Sequence, residues 1–170
     1  MLMTTAADTT SPPSSAKLNV NLQELLNDLF LVLTQKESEV IKRRFAMTGQ
    51  KQTLEKIGKH FNVTRERIRQ IESIALSKLR RTVRTTRFDE VNDIAKGVLS
   101  ASGGLMVEAD LVSSVLKQIP STNKVDGAIL RLSFSIDNEM EFGSKTLTHR
   151  PFWRLTSLSM DDVNAVMKIS

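Results

Sequence analysis

From Thr64 to Thr82 the chain carries a single apolar stripe, and that stripe constrains the fold more than any other feature. Ile68, Ile71, Ala75 and Leu79 recur at spacings of three and four, the period of one helix side. Arg65, Glu66, Arg69, Gln70 and Ser73 fall on the other side. Thr64 stands at the N-cap, where its hydroxyl accepts from an orphan amide of the first turn. Just upstream, Thr53 caps a shorter helix over Leu54–Phe61, with Leu54, Ile57 and Phe61 inward. Asn62 and Val63 form the turn between the two, and Gly58 is expected where they pack closely. The pattern therefore predicts two helices joined by a tight turn, the second with a polar, basic outer face.

The surrounding sequence extends this unit. Leu18, Leu22, Leu25, Leu26, Leu29 and Phe30 predict an amphipathic helix over about 19–32. Thr34 and Glu37 have the spacing of a capping box, with Leu33 as the apolar residue before the cap. The helix they open runs through Val40, Ile41, Arg44 and Phe45 and stops at the polar loop Thr48–Gln52. Residues 1–17, rich in Thr, Ser, Ala and Pro, read as a disordered tail.

Charge separates this part of the chain from the rest. Lys36 to Arg87 holds 15 basic and 5 acidic residues, whereas the remainder holds 9 and 14. A net +10 in one third of a chain of net charge +5 points to a surface built for a polyanion.

After Arg87 the composition shifts. Phe88 to about Ser102 predicts a helix, Leu105–Val107 a short strand, Ala109–Ile119 a second helix and 124–136 a third. Met140–Phe142 and Pro151–Thr156 follow as two short alternating segments. Three helices and a two-stranded ribbon are the order of a winged helix. The expected fold is thus mainly α: a four-helix unit over 18–86, a small winged-helix α+β unit over 87–160 and a C-terminal tail over 161–170.

The run Val63-Thr-Arg-Glu-Arg-Ile-Arg-Gln-Ile-Glu72 closely resembles the helix-turn-helix of region 4 in the sigma-70 family of bacterial transcription factors. Ala75-Leu76 and Lys78-Leu79-Arg80 continue the resemblance, and Leu33-Thr34, Glu37, Val40-Ile41 and Arg43-Arg44-Phe45 extend it upstream, over roughly residues 20–86. It implies a sequence-specific transcription initiation factor that reads a minus-35-like element of double-stranded promoter DNA. Independently, arginine matches the acceptors of guanine, a carboxylate accepts from cytosine and glutamine pairs with adenine. The resemblance puts base reading on Arg65, Glu66 and Gln70. It puts DNA-backbone contacts on Lys36, Arg44, Thr53, Thr64, Arg67, Arg69 and Lys78. It also implies docking on the β flap of core RNA polymerase through an apolar groove at Leu33, Val40, Ile41 and Phe45, residues that the domain's own core also needs.

Three departures shape the expectation. No segment here resembles region 2, the part that grips polymerase and melts DNA, and residues 1–17 are too few to hold it. The reading is therefore a split or accessory factor, with region 2 on a separate chain. Ile74 stands where the family is usually polar or charged, and is expected to touch the C-terminal module. That module weakly resembles the HARE type of winged helix found in bacterial transcription proteins. It has 8 basic and 11 acidic residues from Phe88 onward, so protein interaction is favoured over base reading. A basic wing at Lys145, His149, Arg150 and Arg154 near a DNA backbone is the alternative, while Phe152 and Trp153 are expected in the core.

Two other functions remain open at this point: a stand-alone regulator that binds an operator without polymerase, and a decoy that occupies the β flap. An enzyme is not expected. There is no cysteine, the two histidines are far apart in sequence, and neither a phosphate loop nor a nucleophile–base arrangement occurs. Ser14 and Lys17 fit a Ser-x-x-Lys spacing by chance. No cofactor, metal, small-molecule substrate or membrane partner is called for. The longest apolar run is Leu29–Leu33, too short for a membrane span, so the expected location is cytoplasmic, on the nucleoid.

Overall fold

The computed structural model describes residues 17–121 and 123–169. Apart from Lys17, the expected tail and the Ser14–Lys17 pattern lie outside them. The fold is mainly α. The described residues form α1 (Leu22–Leu29), α2 (Gln35–Arg44), α3 (Leu54–Phe61) and α4 (Arg65–Thr82). These are followed by α5 (Phe88–Ala101), β1 (Leu105–Val107), α6 (Glu108–Leu116) and α7 (Asp126–Ser135). β2 (Met140–Gly143), β3 (Phe152–Leu155) and α8 (Met160–Ile169) complete the chain. A 3-10 turn, Phe30–Val32, extends α1, and another, Val83–Thr85, extends α4.

Local chemistry explains the boundaries of the first four helices. The Asn21 carboxamide accepts from the amides of Gln23 and Glu24 and starts α1. Thr34 and Glu37 form the reciprocal capping box at α2, at 3.2 and 3.1 Å. Thr53 accepts from the Lys56 amide and Thr64 from the Arg67 amide, each at 3.1 Å. Between α3 and α4, Asn62 is left-handed at φ 55°, where asparagine is among the few tolerant residues. Gly58 is fixed by sterics: a Cβ there would lie 2.7 Å from the Val63 carbonyl oxygen.

Two apolar clusters hold the chain. The smaller joins Val40, Ile57, Ile68 and Ile71, with Leu54, Phe61 and Val63 packed on it, and sets the angle between α3 and α4. The larger begins with Val20 and the α1 leucines, takes in Ile41, Ala75, Leu79 and Val83, and continues through α5, α6 and α7 to Trp153. The main core therefore runs across residue 86 without a break. Its link is α1, whose buried face packs on α7.

The C-terminal half has the element order of a winged helix, and its sheet has three strands rather than two. β3 lies in the centre, antiparallel to β1 and β2, in the order β1-β3-β2. Gly143 pairs with Phe152, whose ring fills the space a Cβ at 143 would need. Trp153 is anchored by its indole N–H, which donates to Glu108 at 2.9 Å. Residues 161–170 are expected as a tail, but α8 runs through them to Ile169, with Val163 buried. No helix among the described residues is long and apolar enough to cross a membrane.

Candidate nucleic-acid interface

Helix α4 is the centre of the site. Ile68, Ile71, Ala75 and Leu79 are buried, so the opposite face is left to solvent. Arg65, Glu66, Arg67, Arg69 and Gln70 are all exposed on its first turns. The three proposed base readers thus share the free N-terminal part of one helix, where a recognition helix meets base edges in the major groove.

These side chains are already ordered by one another. Arg69 donates to both Glu66 oxygens, at 2.7 and 2.9 Å. That hydrogen bond holds the Glu66 carboxyl below, and the Arg69 guanidinium above, their usual pKa values. Arg67 donates to the side-chain Oε1 of Gln70 at 3.3 Å. Arg65 makes no ion pair among the described residues and lines a shallow pocket with Thr53, Leu54, Glu55 and Arg44.

The residues expected at the DNA backbone divide into two groups. Lys36, Thr53, Thr64, Arg67 and Arg69 are exposed, and the Lys36 ammonium sits 5.5 Å from the centre of the Phe61 ring. Arg44 and Lys78 have structural duties. Arg44 bonds Glu72 at 2.8 Å and the Gln52 carbonyl at 3.0 Å, which ties α2 and the following loop to α4. Lys78 bonds both Glu37 oxygens at 3.0 Å and ties α4 to the start of α2. Both cations are partly compensated within the fold.

The expected apolar groove is mostly closed. Val40 and Ile41 are 0% exposed, and Leu33 and Phe45 are half-buried against the main core. The free apolar surface lies one turn earlier, at Leu31 (82% exposed) and Val32 (41%). Sequence periodicity assigned this stretch to a helix and so missed it; the exposure comes from the 3-10 turn. Ile74, expected against the C-terminal module, is 49% exposed on α4.

The third helix of the C-terminal half, α7, has little polar face to offer. Seven of its residues, Asp126, Ala128, Ile129, Leu130, Leu132, Ser133 and Phe134, are buried. Its one cation, Arg131, bonds Glu108 at 3.1 Å. The position a winged helix uses for base reading is thus taken up by packing, in part against α1.

A family model described as sigma-70, region 4 matches residues 29–81, the stretch that holds α2, α3 and α4. Over residues 29–81, then, the chain is similar to sigma-70 region 4. The chain is similar to the RNA polymerase sigma factor SigA of a Bacillus species, 46% identical over 79 residues. That match covers 46% of this chain and 21% of the relative. It is also similar to the SigA of Clostridium acetobutylicum, 42% identical over 87 residues, covering 51% of this chain and 23% of the relative. The chain therefore spans less than a quarter of the length of these relatives. Within the matched stretch, α4 is the second of two capped helices joined by a tight turn, and its exposed Arg65, Glu66 and Gln70 stand at its outer N-terminal end.

Proposed function

We propose that this chain is a sequence-specific DNA-binding transcription initiation factor that reads a minus-35-like promoter element through α4. One observation carries the reading: Arg65, Glu66 and Gln70 lie together and exposed on a capped helix whose opposite side is locked into the core. Arg65 takes guanine, Glu66 a cytosine amino group and Gln70 adenine. Lys36, Arg67 and Arg69 lie along the backbone, with Thr53 and Thr64 at the helix N-termini. Arg44 and Lys78 approach it through charges shared with Glu72 and Glu37.

The similarity to SigA proteins supports RNA polymerase as the second partner. Docking on the β flap falls to the exposed edge Leu31–Val32 and its half-buried neighbours Leu33 and Phe45, with Val40 and Ile41 supporting them from the core. Clamp binding and DNA melting fall to a region 2 that lies outside these 170 residues.

The test is binding to duplexes with an intact and a scrambled minus-35-like element, with and without core polymerase and with isolated β flap as competitor. Preference for the intact element, together with polymerase binding that the flap competes away, is the expected result. Element binding without polymerase binding would make the chain a stand-alone operator regulator. Flap binding without element preference would make it a decoy.

A further inference from the structure

The loop between β2 and β3 stands apart from the rest of the C-terminal module. From Phe142 to Ser159 there is no Asp or Glu, although the chain from Phe88 onward carries more acidic than basic residues. Lys145 and Arg150 are exposed and make no ion pair among the described residues. Arg154, by contrast, is consumed by Glu141 and the Leu158 carbonyl. Leu147, at the tip, is fully exposed.

The loop is nevertheless ordered. The Thr146 hydroxyl accepts from the amides of Thr148 and His149, and the Thr146 amide donates to the His149 carbonyl at 3.0 Å. His149 lies edge-on to Phe152, which ties the arm back to the sheet. The tip thus holds an aliphatic side chain between two free cations on a preformed turn. A free aliphatic tip has no stabilising role in the fold, and α7 does not bring DNA to it.

Position supplies the partner. The root of the hairpin, Phe142 and Trp153, shares a cleft of about 390 Å³ with Arg44 and Lys51 of the region 4 domain. Arg44 also borders the pocket that holds Thr53 and Arg65. The root of the wing therefore lies beside Arg44, the residue that also borders the N-terminal end of α4.

We propose that the β2–β3 wing is a second DNA contact, which sets Lys145 and Arg150 on the backbone and Leu147 as an apolar wedge in the minor groove flanking the element read by α4. The proposal rests on the reading of the chain as a DNA-binding protein. Cations that flank an apolar side chain are the composition of a minor-groove wedge, and each cation that neutralises a phosphate steepens the salt dependence. The wing acts without its neighbouring helix, because α7 is buried.

The test uses the full chain, a duplex with the element and a scrambled duplex of the same length. Dissociation constants are measured over a salt series for the wild type and for the Lys145→Ala/Arg150→Ala variant. The expected log–log slope of the variant is shallower by about 2 on both duplexes, from roughly 0.9 per phosphate. Lys117→Ala/Lys124→Ala removes two exposed charges from the segment between α6 and α7 and leaves the slope unchanged. Leu147→Ser lowers affinity several-fold and keeps the wild-type slope. Equal slopes for wild type and wing variant overturn the backbone contact, and unchanged affinity for Leu147→Ser overturns the wedge. Equal wild-type affinity for the two duplexes counts against base reading by α4, while the slope difference still decides the wing.

Discussion

Arg69 grips both carboxylate oxygens of Glu66, at 2.7 and 2.9 Å, on the exposed face of α4. Glu66 is the one proposed base reader that carries a negative charge, so it meets DNA as an anion among cations. The pair keeps it ionised and aimed. Its pKa lies below the usual glutamate value because of the Arg69 hydrogen bond. The charged form is thus favoured above the ordinary glutamate range, and the contribution is lost as pH falls through the depressed value. An NMR pH titration should give a Glu66 midpoint below that of a reference glutamate, and Arg69→Ala should return it to the ordinary range. An unshifted midpoint in the wild type would remove the pair from the account.

Base readers and backbone contacts separate by how they fail. Arg65→Ala or Gln70→Ala should cost about 1–3 kcal/mol against the cognate base and relax preference at one position each. Arg67→Ala should weaken all sequences alike and make the salt slope shallower by about 1. Binding to a panel of single-base variants of the element checks this, and a uniform loss from Gln70→Ala would contradict its role.

The apolar edge at Leu31 has a different readout. Leu31→Asp removes no packing, since the side chain is 82% exposed. It should leave the melting temperature and the affinity for the element unchanged while weakening binding to core polymerase. Wild-type polymerase affinity in this variant would move docking elsewhere on the chain.

Gly58→Ala probes the turn that sets the two helices. The added methyl meets the Val63 carbonyl oxygen at 2.7 Å, and that oxygen belongs to backbone between two capped helices. Overpacking of this kind should cost about 1–3 kcal/mol and lower affinity for the element together with stability. Thermal unfolding and binding measured on the same sample check both.

Lys96 gives a prediction at the alkaline end. Burial pulls its pKa down, but Asp137, Glu139 and Asp93 together hold the ammonium above the usual lysine value. A raised folded-state value means stability fully present below the ordinary lysine pKa and lost as pH rises through the raised one. The melting temperature should therefore fall in that window. Lys96→Met should lower it at neutral pH and flatten the alkaline fall, and parallel curves for the two proteins would show that the cluster is not the cause.

Much of this molecule could be read along the chain because its signals are local. The threonines at 34, 53 and 64 cap helices where their sequence spacing says they should, and α4 begins and ends at the residues its apolar stripe marks. What escaped depends on pairs far apart. The pairing of β1 on β3 joins Met106 to Trp153, and the packing of α1 on α7 joins residues about a hundred positions apart. Neither leaves a period in the sequence. The candidate site shows the same division. Exposure of Arg65, Glu66 and Gln70 follows from helix geometry, whereas the capture of Arg44 by Glu72 and of Lys78 by Glu37 follows from how α2 lies on α4. The family resemblance marked all five alike as contacts, since it carries no information on which cations the fold itself engages.

The placement of α1 between two distant parts of the chain fixes an order of events during synthesis. The small cluster of Val40, Ile57, Ile68 and Ile71 spans about thirty residues, so α2, α3 and α4 can close on it while the ribosome is still translating. The leucines of α1 emerge first yet find their partners last, since residues 126–135 must appear before that face can be covered. Until then an apolar helix stays exposed on a nascent chain, a window in which aggregation or chaperone capture competes with folding. A slow C-terminal half would thus be felt first at the N-terminus.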